Sequence, residues 1–98
     1  MDRIVVIAIR AAITMLGLDE SVTVTAIDAQ DTIWLRDDRT QVGARWCLVE
    51  NNSHFLVIHN GRSLQYRIDL SDPNSIKDLA TAIDDALMTT RMFLPDED

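Results

Sequence analysis

The stretch Phe55-Leu56-Val57-Ile58-His59-Asn60-Gly61-Arg62-Ser63-Leu64-Gln65-Tyr66-Arg67-Ile68-Asp69-Leu70 decides the fold. Within Ser63–Leu70 the residues alternate: Leu64, Tyr66, Ile68 and Leu70 fall on one face, Gln65, Arg67 and Asp69 on the other. A period of two is the pattern of a half-buried β-strand. The preceding run, His54–Asn60, is apolar at its centre and reads as a second strand. Asn60-Gly61 between them is a turn signal, because both residues tolerate positive φ in a type I′ hairpin turn. Strands joined by so short a connection pair antiparallel.

Three more strand candidates lie on the N-terminal side: Val22–Ile27, Thr32–Arg36 with Trp34, and Ala44–Glu50 with Trp46. Asp37-Asp38-Arg39 and Asn51-Asn52-Ser53 separate them as polar turns. Before the strands, Asp2 can cap a helix over Arg3–Leu16 that Gly17 stops. Arg3, Arg10 and Thr14 form its one polar stripe, with Ile7 beside it. The rest of its surface is apolar, more than one sheet face can cover. The β-branched run Ile4–Ile7 leaves a strand as the competing reading.

On the C-terminal side, Asp72 as N-cap and Pro73 at the first helical position start a second helix. Ile76, Leu79, Ala80, Ile83, Ala86 and Leu87 share one face of it, and Lys77, Asp78, Thr81, Asp84 and Asp85 take the other. Pro95 ends it. The expectation is an α+β fold: an N-terminal helix, a five-stranded antiparallel meander sheet and a C-terminal amphipathic helix, with both helices on one sheet face. Residues 1–98 read as a single domain, with 93–98 an acidic flexible tail.

Ninety-eight residues, 47% hydrophobic with three Gly and two Pro, exclude a disordered chain. The net charge of −7 argues against general binding to DNA or RNA, which needs cationic surfaces, and against an anionic membrane. That charge is unevenly placed. Residues 1–67 carry eight acids and seven bases, whereas residues 68–98 carry eight acids and two bases. The imbalance belongs to the last helix and its flanks.

Little in the chain points to catalysis. Cys47 is the only cysteine, so no internal disulfide forms, and it reads as a small buried apolar residue in a reducing cytoplasm. Residues 4–16 are too short to cross a bilayer, and no signal-cleavage pattern follows them. Asn51-Asn52-Ser53 matches a glycosylation sequon but reads as a turn. His54 and His59, five apart in one strand, point to opposite faces and cannot share a metal. Asp19-Glu20, Asp37-Asp38, Asp28 and Asp31 read as solvated turn carboxylates without cation-loop spacing. No phosphate loop, nucleophile elbow or zinc motif occurs, so the expectation is no enzyme, no catalytic residue, no metal and no cofactor. Trp34, sharing parity with Arg36, reads as an outward interface anchor, and Trp46 as core.

Gln65-Tyr66-Arg67-Ile68-Asp69-Leu70-Ser71-Asp72-Pro73-Asn74-Ser75-Ile76-Lys77, continuing to Asp84-Asp85-Ala86, resembles part of a small phage anti-CRISPR family. That family comprises DNA-mimicking inhibitors of the type I-F surveillance complex. Gln65, Tyr66, Asp69, Asp72, Ser75, Ile76, Lys77, Ala80, Asp84 and Asp85 carry the resemblance, with the Asn52-Ser53 hairpin before them; it spans about residues 52–86. The chain departs from the pattern at Ser71, Asn74 and Thr81, where the family has acids, and at Asp78, where it has a small residue. The apolar first helix has no counterpart. The resemblance implies a phage-encoded, non-enzymatic inhibitor whose acidic face occupies a Lys/Arg-lined DNA groove in a host cytoplasm.

The expected partner-binding residues are Asp69, Asp72, Asp78, Asp84 and Asp85, with Met88, Met92 and Trp34 as apolar anchors. The expected partner is a protein with a Lys/Arg-rich surface, such as a CRISPR effector complex, with no direct nucleic acid or membrane contact. The alternative is a dimeric cytoplasmic adaptor or secretion-chaperone-like protein, a homodimer through the apolar first helix.

Overall fold

The computed structural model describes residues 3–27, 31–38, 45–52, 55–60 and 65–93, and within these the side chains of all but Ile27 and residues 89–93. Helix α1 spans Arg3–Met15, and the strands follow as β1 (Val22–Ile27), β2 (Thr32–Asp37), β3 (Arg45–Asn52), β4 (Phe55–His59) and β5 (Gln65–Ile68). Helix α2, Ser75–Phe93, closes the order. The competing strand at Ile4–Ile7 does not form. Its β-branched residues lie on both sides of a helix whose Val5, Ala8, Ile9, Ala12 and Ile13 are buried.

The end of α1 follows the rule for a glycine stop. Gly17 has φ +71°, Leu18 N–H donates to Ile13 O at 3.1 Å, and Gly17 N–H to Thr14 O at 2.9 Å. This pair of bonds closes the orphan carbonyls of the last turn. Leu18 then drops into the core beside Ile13. The start of α2 is equally local. Asp72 Oδ1 accepts from Asn74 N–H at 2.9 Å, and Ser75 N–H donates to Asp72 O at 3.0 Å. The regular helix begins at Ser75, two residues later than the Asp72-Pro73 pair places it, after one tight turn that the Asp72 side chain holds.

The strands form a five-stranded antiparallel sheet in the order β1-β2-β3-β4-β5. Its register places Val24, Leu35 and Cys47 in one row, and Ala26, Ile33, Val49, Ile58 and Tyr66 in the next. Ile33, Leu35, Cys47, Val49, Leu56, Ile58 and Ile68 share a core with the buried faces of both helices. Helix α2 lies on β3, β4 and β5, and α1 packs along α2. Each fully buried Ile or Leu contributes about 1.5–3 kcal/mol to this layer.

Three local expectations give way here. Asn60 does not have the positive φ expected of it, and Gly61 lies outside the described residues. Asn60 instead buries its side chain and donates from Nδ2 to Ala86 O at 3.3 Å, tying the end of β4 to α2. Asp37 is no turn carboxylate: it is the last residue of β2, fully buried, with Val22 and Arg45 as register partners. Trp46 is not core. Its register partner is Arg36 and its strand neighbour in parity is Leu48, the partner of Trp34, so both tryptophans stand on the face away from the helices. Leu64, His54 and the 94–98 tail lie outside the described residues.

Candidate functional site

The acidic residues gather where the chain passes from β5 into α2. Asp69 Oδ1 accepts from Ser71 N–H at 2.9 Å and from Ser71 Oγ–H at 2.7 Å. These donors hold the Asp69 carboxyl below the usual carboxylate range and so keep it ionised. Asp72 caps α2 three residues later. Asp78 is exposed in the first turn of α2. Asp85 lies seven residues on, about 10 Å along the axis and within about 20° of the same stripe. Its Oδ2 accepts from Tyr66 Oη–H at 3.1 Å. The bond to Asp85 raises the Tyr66 phenol above its ordinary range.

Asp69, Asp72, Asp78 and Asp85 therefore belong to one edge of the molecule, beside β5. Three of the four are oriented by donors from this chain, and accepting a hydrogen bond stabilises the charged carboxylate. Such oriented charges can meet a cationic surface without first ordering themselves. Asp84 is not part of this edge. It is one residue from Asp85, about 100° around the helix, and half-buried on the other flank of α2. Met88 is exposed one turn beyond Asp84. The side chain of Met92 lies outside the described residues.

Trp34 does point away from the core, but this does not make it an anchor for the acidic edge. It sits in the outer-face row Thr25, Trp34, Leu48, His59 and Gln65, on the far side of the sheet from α2. Arg36 on that face pairs with Asp38 at 2.9 Å, and the Arg67 guanidinium stacks 5.1 Å over the Phe55 ring. His59 pairs with Glu50 from the neighbouring strand.

Other candidate chemistry is occupied structurally. Burial pushes the Cys47 thiol far above its ordinary range, which keeps it protonated and unreactive. Asp31 holds φ 50° at the start of β2, where its carboxylate and carbonyl both accept from Asn51. Among the described residues no three metal-ligating side chains converge, and no helix is long and apolar enough to cross a membrane.

Two features escaped the sequence reading. One is Tyr66 as the holder of Asp85: the strand pattern marked it only as inward, and the helix that meets it comes 19 residues later. The other is the outer surface of α1. Ile4, Ile7, Ala11 and Met15 stand exposed in a 3-4-4 spacing beside Arg3 and Arg10. The excess apolar surface was legible, but not which residues would remain uncovered.

Comparison with protein-family models, curated proteins and solved structures returned no match.

Proposed function

We propose that this chain is a small non-enzymatic binding protein that presents Asp69, Asp72, Asp78 and Asp85 to a Lys/Arg-rich surface and so competes with nucleic acid for it. The observation that carries the reading is the preorganised edge: three of these carboxylates are held by Ser71, Asn74 and Tyr66. Oriented carboxylates favour electrostatic complementarity, which speeds encounter and selects partners. The local resemblance to phage anti-CRISPR inhibitors supports a DNA-handling complex as the target, and a host cytoplasm as the setting. Asp84 and Trp34 have no part in this edge, and Met88 is an anchor only for a partner that reaches around α2.

The test is competition. Purified type I-F surveillance complex is loaded with labelled duplex DNA and titrated with the chain. Displacement that weakens steeply with salt, and that Asp78→Lys abolishes, is the expected result. No displacement at large excess would end the proposal.

A second reading is favoured by one observation, the exposed stripe Ile4, Ile7, Ala11 and Met15. It makes the chain a two-copy adaptor or secretion-chaperone-like protein. A monomeric mass at micromolar concentration would end this second reading.

A further inference from the structure

We propose that the helical layer is a homodimer interface in which α1 of each copy lies against α2 of the other. Five large apolar side chains stand exposed among the described residues, and four are on this layer: Ile4 at 67%, Ile7 at 60% and Met15 at 56% in α1, and Met88 at 51% in α2. The fifth, Trp34, is on the far face of the sheet. Ile4, Ile7, Ala11 and Met15 form one stripe at 3-4-4 spacing, while Val5, Ala8, Ile9, Ala12 and Ile13 form the buried one. A helix apolar on two sides belongs between two neighbours. Among the described residues, one copy of the chain supplies only one.

Charge names the second neighbour. Arg3 and Arg10 border the exposed stripe, and α1 contains no acid. The surface that complements it is therefore apolar with acids beside it. On α2 of this chain Asp84 and Met88 lie one turn apart on neighbouring positions, with Lys77 on the same face toward the helix start. Because α1 and α2 pack side by side, a two-fold axis between them places α1 on the partner's helix and α2 under the partner's other helix at once. This is the self-complementary contact of an isologous dimer. Arg10 of each copy then approaches Asp84 of the other. An anionic membrane is the poorer occupant, because the chain's net charge of −7 opposes it.

The contact uses the Asp84 flank of α2 and leaves the flank beside β5 open. The dimer would present two acidic edges, each with Asp69, Asp72, Asp78 and Asp85. The inference does not rest on what those edges bind, so the two proposals fail separately.

Light scattering and sedimentation at micromolar concentration test it. The native chain is expected at twice its chain mass. Ile7→Glu should give a monomer with unchanged circular dichroism, since Ile7 is exposed in one copy. Arg10→Glu should weaken association by about tenfold. Arg10→Glu combined with Asp84→Lys should recover it, because each copy then supplies the reversed pair. Any of three results overturns the inference: a monomeric native chain, a dimer indifferent to Ile7→Glu, or a double reversal as weak as Arg10→Glu alone. Monomeric chain that binds phosphatidylglycerol vesicles through Ile7 would also overturn it and assign the stripe to lipid.

Discussion

Helices α1 and α2 bury matching faces in one core and differ in everything they turn outward. Inward, Val5, Ile9 and Ile13 of α1 correspond to Leu79, Ile83 and Leu87 of α2. Outward, α2 shows Lys77, Asp78, Thr81 and Met88, an ordinary solvated face with one apolar residue. Outward, α1 shows three large apolar side chains and two arginines. The difference teaches that burial of one face explains the fold equally for both helices, yet accounts for only half of α1. The remainder of α1 calls for an occupant, whereas α2 leaves only Met88 uncovered among its described large apolar side chains.

The largest test of the comparison asks whether the inward faces are equivalent. Ile9→Ala and Ile83→Ala, both at fully buried sites, should each cost about 2–5 kcal/mol in chemical denaturation. Ile7→Ala, measured under conditions where the chain is monomeric, should stay within about 0.5 kcal/mol. A large loss there would mean that the outer stripe already packs within one copy, and the contrast between the helices would disappear.

The next test concerns how each helix is terminated. Gly17→Ala should cost about 1–2 kcal/mol through its left-handed backbone conformation alone, because no atom lies within 4 Å of the added Cβ. Asp72→Ala should cost about 1 kcal/mol by removing the α2 cap. Thermal melts of both variants would show whether α1 depends on its C-terminus as α2 does on its start.

The smallest effect is spectroscopic and specific to α2. Tyr66 is the only tyrosine, so phenolate absorbance reports on it alone. Its titration should lie above the ordinary range and return toward about 10 in Asp85→Asn. Since the folded phenol is raised, its contribution to stability is complete below the ordinary phenol pKa and is lost as pH rises through the folded value. Asp69 works in the opposite direction. Its contribution is present above the ordinary carboxylate pKa and disappears as pH falls through the depressed value, an effect that Ser71→Ala should reduce.

Much of this molecule was legible in its residues because its signals are local. Gly17 stops α1, the Asp72-Pro73 turn leads into α2 two residues before its first helical residue, and β1 runs over Val22–Ile27 as the pattern places it. The acidic segment was visible as a count, and Asp78 and Asp85 share one stripe of α2 on the side of β5. Most misreadings arose where a second element intervened. Trp46 is the exception: it reads as core by its apolar bulk, although alternation with the buried Cys47 beside it already puts it on the outer face, opposite Arg36. Asp37 looked solvated beside Asp38 until the sheet buried it. Asn60 looked like a turn residue until α2 passed over it and took its amide. Asp84 counted with Asp85 in composition but faces another way.

Local chain chemistry alone settled the element types, their order and the antiparallel meander, since short polar connections and hydrophobic periods act within a few residues. The docking of α2 across β3, β4 and β5 decided the rest: which carboxylates share an edge, which tryptophans face outward and which half of α1 is left uncovered. Those outcomes depend on contacts between segments distant in sequence, where burial and hydrogen bonding are set by the neighbour that arrives and not by the residues that wait for it.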